Sequence, residues 1–454
     1  MINILLKIKR VINYVKFYIG LIIKKDNRYV YTQFKKINKN QLKKTNEKEK
    51  LLLKNINEIL SYSNKHVEYY HNIFKNLGLV NSINDKVQLT SIKDLEGIPI
   101  LTKEKLNDNF DNLTSNDIGN LKAYLNSSGG STGKKAMFYQ DKNFKLMQRA
   151  ISYYYRSLFG IKPWHKNKLL LWGSQEDIGT PTIPQNLFLH YMNNESLLLS
   201  SSFLTKNQIK SIVEKLKNIK FDYVLGYSQS LDILSDYINS NSIKIKKQNI
   251  VFSTATVLSP RMQTNIKKAF RCNVVDFYGS REVGSISYAN PFNNNQTIFS
   301  DFNYMEIYCS NNSNTGKILI TTLHNKSMPL IRYEIGDLGA HLDKRSIFEF
   351  KYVKGRQTDI FKKRDGSIID GTFLTTILNK IRNIKQFQII QHTYRKIEFK
   401  LVSDGKISAL EKKQIDEKMI KMFGDNCEIV WTYVNELEAS SSGKYLYIIS
   451  KING

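Results

Sequence analysis

Asn126-Ser-Ser-Gly-Gly-Ser-Thr-Gly-Lys-Lys135 is the stretch from which this chain can be read. Gly129, Gly130 and Gly133 let a backbone approach a polyanion closely. Main-chain N–H groups and the hydroxyls of Ser127, Ser128, Ser131 and Thr132 can donate to phosphate oxygens, and Lys134 adds positive charge. The stretch is not a Walker A loop. Only three residues separate Gly129 from Gly133, and Lys134 is followed by Lys135 where that loop needs Ser or Thr. A flexible Gly/Ser turn has the same composition, so the phosphate reading needs support from elsewhere in the chain.

Three downstream stretches supply it. Asp276-Phe-Tyr-Gly-Ser-Arg-Glu282 reads as a strand ending in Tyr278-Gly279 that delivers an acid three residues after the glycine, suited to holding magnesium beside a triphosphate. Ile331-Arg-Tyr-Glu-Ile-Gly-Asp337 reads as a strand and a glycine followed directly by a carboxylate able to accept hydrogen bonds from ribose hydroxyls. Gly355-Arg-Gln-Thr-Asp-Ile-Phe-Lys-Lys-Arg-Asp-Gly366 lies where one folded body gives way to another, with Arg356 near ribose or phosphate. Each pattern is common by itself, and only their order and spacing carry weight.

Between these motifs the pattern alternates. Helical periodicity over Asp141 to Phe159 precedes an apolar strand, Lys168 to Trp172. Helices over Lys206 to Ile219 and Gln229 to Ile238 precede strands at Tyr223 to Leu225 and Ile250 to Phe252. Ser259-Pro260 opens a fourth helix, a capping hydroxyl followed by the residue best tolerated at the first helical position, and Asn273 to Tyr278 follows as a strand. Helix and strand in turn predict an α/β body of parallel sheets covered by helices. Residues 297 to 353 read as a β subdomain, with strands at Gly316 to Thr322 and Leu330 to Ile335. After Gly355 come a helix at Phe373 to Arg382, two strands joined near Tyr394-Arg395, a helix from Ala409 to Phe423, and strands at Glu428 to Tyr433 and Tyr445 to Ile449, together a small α+β domain. The expected division is 1–50, a basic N-terminal extension; 51–354, the large domain; and 355–454, the small one.

Taken in order, Ser-Ser-Gly-Gly-Ser-Thr-Gly-Lys, Tyr-Gly-x-x-Glu, Arg-Tyr-x-x-Gly-Asp-Leu and Gly-Arg-x-x-Asp resemble the core motifs of the adenylate-forming superfamily, which includes acyl-CoA synthetases, peptide-synthetase adenylation domains and luciferase. Within it the chain is most similar to the phenylacetate-CoA ligase branch, and especially to the CapK-like proteins of capsular and surface polysaccharide biosynthesis. Phe252-Ser-Thr-Ala-Thr-Val-Leu-Ser-Pro260 resembles that branch's segment beside the adenine, and Ser442-Gly443-Lys444 its mobile catalytic-lysine motif. The resemblance runs from about residue 50 to the end.

It implies an acetyl-CoA synthetase-like fold with a mobile C-terminal domain, and a ligase using ATP and Mg2+. Ser127, Ser128, Gly129, Gly130, Ser131, Thr132, Gly133 and Lys134 would hold the β- and γ-phosphates. Glu282 would ligate magnesium, and Ala255, Tyr278 and Gly279 would border the adenine. Asp337 would bind the ribose hydroxyls, Arg356 the ribose or phosphate, and Lys444 the α-phosphate and the substrate carboxylate. The acceptor would be the thiol of CoA or an amine, and the acyl pocket would lie around Gly226 to Leu231 and Trp172 to Asp177. The chain departs from the pattern at Thr256, where relatives often have Glu, and at Thr358, where many have the pivot acid that here follows as Asp359. Tyr288-Ala-Asn-Pro-Phe-Asn-Asn-Asn lacks the Cys and His that some relatives carry, so no structural zinc is expected.

The 454 residues, 41% hydrophobic with 7 Pro and 23 Gly, exclude a disordered or collagen-like chain. Cys272, Cys309 and Cys427 form no Cys-x-x-Cys pair, which fits a reducing, cytoplasmic setting. The seven histidines, His190 and His324 among them, show no ligand spacing. A net charge of +28 raises nucleic acid or an anionic membrane as partner, but no helix-turn-helix, zinc-finger or RNA-recognition signature gives it a specific nucleic-acid target. The charge is concentrated at the start: residues 1–50 hold fourteen Lys/Arg against three Asp/Glu. Within the first 23 positions Ile4, Ile8, Ile12, Val15, Ile19 and Ile22 recur at helical spacing, with Lys7, Arg10 and Lys16 off that stripe. This amphipathic basic helix is too short in apolar run to span a bilayer and has no cleavage site. Two readings stay open, peripheral docking at the inner membrane and packing of the stripe on the protein's own body. A catalytically inactive scaffold that keeps the nucleotide fold is the competing function, and the presence of Glu282, Asp337, Arg356 and Lys444 together argues against it.

Overall fold

The computed structural model describes the chain apart from residues 1, 81–84, 129–135, 172–195, 200–205, 292, 310–312, 344–345, 357–359, 363, 365–367, 371–373, 375–377, 379–380, 382, 425, 438–446 and 453–454. The Gly/Ser stretch is flanked by an antiparallel hairpin of β1 (Tyr124–Ser127) and β2 (Met137–Gln140), with Ser127 opposite Met137. From there the chain builds one sheet of eight strands. Its parallel part is β4 (Ser196–Leu199), β3 (Lys168–Leu171), β5 (Tyr223–Tyr227), β6 (Ile250–Thr254) and β7 (Asn273–Ser280), side by side in that order. Beyond β7 the sheet turns antiparallel through β8 (Gly284–Ala289), β9 (Gln296–Ile298) and β13 (Glu349–Phe350).

The helices explain why the middle strands are apolar on both faces. α1 (Ile2–Ile23), α2 (Lys25–Gln41), α3 (Thr45–His66), α4 (Glu68–Asn76), α5 (Lys103–Asp108) and α6 (Phe110–Leu113) precede the sheet, and α7 (Lys142–Ser157), α8 (Lys206–Asn218), α9 (Ser228–Ser240) and α10 (Pro260–Phe270) interleave with it. Leu216, Leu231, Leu234, Ile266 and Phe270 of α8, α9 and α10 pack with Leu169, Val224 and Val251 on one face. Met147, Ile151 and Tyr155 of α7, with Val30 and Ile37 of α2, pack with Tyr223, Phe252 and Val275 on the other. All five positions of β6 are buried, as a parallel strand covered on both sides requires. The Ser259 hydroxyl accepts the Met262 N–H at 3.2 Å, with Pro260 at the first helical position. The expected α/β class holds.

A second sheet, in the order β10 (Asn303–Tyr308), β11 (Thr315–Thr322), β12 (Tyr333–Ala340) and β14 (Tyr352–Arg356), is the anticipated β subdomain. Here one boundary is corrected: the strand expected over Leu330 to Ile335 starts at Tyr333, and Gly336 and Asp337 lie inside it. Arg332 is the reason. Its backbone is left-handed (φ 51) and its side chain is buried, donating to the Glu306 carboxylate at 3.1 and 3.3 Å and to the carbonyls of Glu96 (2.7 Å) and Ile98. The chain therefore enters β12 only after this anchor.

Setting residues 129–133 aside, the first compact unit ends at Lys354 and the second begins at Gly355. In the second, β15 (Ile360–Lys362) and β16 (Ile368–Asp370) form a hairpin, and a four-stranded sheet runs β19 (Glu428–Tyr433), β18 (Lys396–Ser403), β17 (Ile384–Thr393), β20 (Ile448–Ser450). α11 (Ala409–Phe423) is opened by a capping box between Ser408 and Glu411, and its Ile415 and Met419 join Ile389, Ile397, Phe399 and Ile448 in a separate core. The helix expected over Phe373 to Arg382 lies largely outside the described residues, although Leu374 and Leu378 are helical and buried.

Within residues 1–50 the two helices differ. α2 is part of the body: Asn40 and Gln41 donate to the Asp301 carboxylate at 2.6 and 2.8 Å, and Tyr29 donates to Asn143 at 2.7 Å. α1 meets the unit through Arg10, Asn13 and Phe17, so the aliphatic stripe is not the face that packs.

Removing the Arg332 guanidinium would strand the Glu306 carboxylate in a site whose burial already pushes it above the usual range. Arg332→Met is expected to lower the free energy of unfolding by about 3–5 kcal/mol in urea titration, and Arg332→Met with Glu306→Met to recover part of that loss.

Candidate functional site

Parallel sheets offer a ligand site where their strands end, at the carboxyl edge and beside a change in strand order. At that edge lie the ends of β6 and β7, next to the switch to antiparallel pairing. β7 passes through Asp276, Phe277, Tyr278 and Gly279 and returns as β8 after a short turn, with a register shift between Tyr278 and Gly279. A Cβ at Gly279 would meet the Gly284 carbonyl oxygen at 2.6 Å, so the turn closes only with glycine there. Gly284 has φ 71, and a Cβ on it would meet the Gln148 Oε1 at 2.3 Å. That Gln148 oxygen accepts the Ser285 N–H at 3.0 Å, while its amide nitrogen donates to the Ser285 hydroxyl. The turn carrying Arg281 and Glu282 is thus fixed at both ends.

Tyr278 and Asp337, which sequence reading assigned to adenine and ribose, meet. The Tyr278 hydroxyl donates to Asp337 Oδ2 at 2.7 Å across 59 residues of chain, and both side chains are half-buried. One carboxylate oxygen of Asp337 is thereby oriented, as a ribose-binding acceptor needs.

Gln140, the last residue of β2, joins the Gly/Ser stretch to the acid-bearing turn. It is 2% exposed, and its amide nitrogen donates to the carbonyls of Arg281 (2.7 Å) and Glu282 (3.2 Å). Its oxygen accepts from the Tyr124 hydroxyl (3.1 Å) and the Asn126 amide (3.0 Å) on β1. At the mouth of the hairpin the Ser128 N–H donates to Ala136 O at 2.8 Å, and the Ser128 hydroxyl accepts the Ala136 N–H at 2.9 Å. The Ser128 O–H itself keeps its proton to donate. Asp141 braces the hairpin from below, accepting the N–H groups of Phe144 (2.8 Å), Lys326 (2.6 Å) and Ser327 (3.1 Å).

The segment after β6 adds a third wall. Ala255 is left-handed at φ 72, a conformation that costs a non-glycine residue energy and needs support. Ser228 gives that support, donating to the carbonyls of Thr256 (2.8 Å) and Thr254 (3.3 Å) and accepting from Ser253 at 2.7 Å. The Thr256 hydroxyl is buried and has no hydrogen-bond partner among the described residues. An orphan hydroxyl beside Ala255, an oriented Asp337 and a backbone that tolerates no side chain at Gly279 fit a polar planar ligand such as a nucleoside.

Ser127, Ser128, Ala255, Tyr278, Gly279, Glu282 and Asp337 are described and belong to the first unit. Gly129, Gly130, Ser131, Thr132, Gly133, Lys134, Lys444 and the stretch Trp172 to Asp177 lie outside the described residues, as does His190. Arg356 ends β14, and its side chain is not among those described. His324 is a core residue, stacked on Phe302 and bonded to Asp301 O at 2.8 Å, and burial lowers its pKa to about 4. Sequence reading missed Gln140, Gln148 and Arg332, and it placed Ser228 only within the Gly226 to Leu231 acyl-pocket stretch, not as the support of Ala255. Arg332 stands inside a quoted motif and was legible there; the others carry no local signal.

Residues 361–451 match the family model of the CapK C-terminal domain. Over 440 residues, 94% of each chain, the sequence is 24% identical to protein CapK of Staphylococcus aureus. The chain is similar to CapK over nearly its whole length. Its fold is that of the adenylate-forming ligases. It aligns with 2-hydroxyisobutyryl-CoA ligase, crystallised in the postadenylation state in complex with R3-HIB-AMP, at a TM-score of 0.65 and 14% identity over 90% of each chain. It also aligns with anthranilate CoA ligase AuaEII in complex with anthranoyl-AMP, at a TM-score of 0.50 and 14% identity, over 70% of this chain and 65% of that one. Of the described candidate residues, Ala255 follows β6, Tyr278 and Gly279 lie on β7, and Asp337 of β12 is bonded to Tyr278.

Asp276, two residues before Tyr278, provides a titration test. Burial pushes its carboxyl up to about 7, against the pull of hydrogen bonds from Gln296 and Phe277. A carboxyl raised on folding stabilises fully below its unfolded value near 4 and loses that contribution as pH rises through about 7. Because Asp276 keeps some surface, the effect is roughly 1–3 kcal/mol. Between pH 5 and pH 8 the parent protein should lose that much stability relative to Asp276→Asn in denaturant titrations at each pH.

Proposed function

We propose that this protein is an ATP-dependent, AMP-forming ligase of carboxylic acids. The observation that carries the reading is the 2.7 Å bond between Tyr278 and Asp337, which unites two separate motifs at the sheet edge where a nucleoside would lie. In the reaction a carboxylate oxygen attacks the α-phosphorus of ATP, the bond from that phosphorus to the bridging oxygen breaks, and pyrophosphate leaves. The acceptor's sulfur or nitrogen then attacks the acyl carbon of the adenylate, the bond from that carbon to the phosphate oxygen breaks, and AMP leaves as the acceptor gives up its proton. Because two anions must approach, the site has to supply cations and oriented donors where charge accumulates. Ser127 to Lys134 are assigned to the β- and γ-phosphates, Asp337 to the ribose hydroxyls, Arg356 to ribose or phosphate, and Lys444 to the α-phosphate and carboxylate. Glu282 is assigned to Mg2+, which when bound neutralises charge on the departing pyrophosphate.

The acceptor is the thiol of CoA or an amine. The CoA reading draws support from 2-hydroxyisobutyryl-CoA ligase and anthranilate CoA ligase, which share the fold, and from motifs resembling the phenylacetate-CoA ligases. The amine reading, joining an acid to an amino sugar or an amino acid to a uronic acid in surface polysaccharide biosynthesis, draws support from the likeness to CapK.

Pyrophosphate release in the presence of ATP, Mg2+ and a panel of carboxylic acids tests the proposal, with mass spectrometry of retained adenylate naming the acid. Lys444→Ala is expected to slow adenylate formation roughly 100- to 1,000-fold, the effect of losing one preorganised charge partner. Asp337→Ala is expected to act chiefly by raising the KM for ATP. Absence of pyrophosphate release with every acid, together with absence of ATP affinity, would favour an inactive scaffold.

A further inference from the structure

α1 is held to the first unit along one side only. Arg10 pairs with the buried Asp222 at 2.6 Å, Asn13 is buried, and Phe17 sits among Tyr31, Tyr153 and Trp164. Arg28 closes the helix end by donating to the carbonyls of Leu21 (3.2 Å) and Ile22 (2.7 Å), and Gly20 brings α1 close to Asn27. At 3.6 residues per turn the side-chain anchors occupy one half of the helix. The opposite half presents Val11, Ile12, Val15, Ile19, Ile22 and Ile23, all exposed, with Val11 at 63% and Ile22 at 74%. Tyr14 and Tyr18 are exposed along its margin. Single exposed aliphatics are ordinary, but a continuous row marks a surface that something covers.

The chemistry around the row selects the covering. Lys16 is exposed beside it, and residues 1–50 carry fourteen basic against three acidic side chains in a chain of net charge +28. Tyrosines at the margin suit the level of lipid headgroups. No helix among the described residues is long and apolar enough to cross a membrane, so an apolar row with Lys16 on one margin and tyrosines on the other belongs in the plane of the interface. We propose that α1 docks the protein on an anionic lipid bilayer, with this row seated at the boundary between headgroups and acyl chains. The proposal stands independently of the ligase reading.

Sedimentation with vesicles tests it. The protein should pellet with vesicles of equimolar phosphatidylglycerol and phosphatidylcholine, far less with phosphatidylcholine alone, and less as salt is raised. Val11→Asp with Ile22→Asp should weaken binding roughly tenfold or more, and Lys16→Glu by a smaller factor, with circular dichroism unchanged. Neither substituted aliphatic touches the candidate site. Three results would overturn the proposal: no binding of the parent protein to anionic vesicles; unchanged binding of the folded double variant; or a concentration-dependent dimer that the double variant abolishes while vesicles are ignored. The parent protein's lipid and salt dependence keeps the test decisive if a variant misfolds.

Discussion

One buried carboxamide ties the candidate site together. Gln140 has two donors and two acceptor positions, and all four are taken: two carbonyls of the turn bearing Glu282 on one side, the Tyr124 hydroxyl and the Asn126 amide on the other. A buried amide left half-satisfied costs more than one never placed there, so the stem of the Gly/Ser stretch and the acid-bearing turn hold their relative position as long as Gln140 is in place. Tyr278 and Asp337 extend that frame to β12, and Arg332 fixes where β12 begins. The result is a set of polar groups whose orientations are settled by protein partners, the preorganisation that stabilising a developing charge demands.

The fold was legible where local physics decides it. Alternating helical and strand periods gave the covered parallel sheet, Ser259-Pro260 marked the start of α10, and the limits read for α11 and for β19 agree with the structure. Local physics failed where a distant partner decides. The strand at Asp337 was read as ending before the carboxylate because a glycine looks like a stop, whereas Gly336, at φ 88, bends within the strand. Gln140, Gln148 and Ser228 act through partners between 14 and 142 residues away, and no spacing rule encodes such contacts. Of the site, Tyr278 and Asp337, singled out for the nucleoside, meet in the structure, but the side chains that position them were invisible.

The first helix illustrates the same limit. Its period predicts an amphipathic element, and amphipathicity ordinarily predicts that the apolar face packs inward. Here an ion pair to Asp222, a buried Asn13 and the Phe17 cluster anchor the more polar side, and the aliphatic row is left outward. The sequence shows that two faces exist, and only tertiary contacts decide which is used at home.

A crystal structure with a non-reactive acyl-adenylate analogue tests most directly whether segments scattered over the chain grip one nucleotide. The account predicts the ribose hydroxyls within hydrogen-bond distance of Asp337, the base against Tyr278 and Ala255, and the Thr256 hydroxyl no longer without a partner. An analogue bound elsewhere, or density at this sheet edge that touches none of these residues, would contradict it.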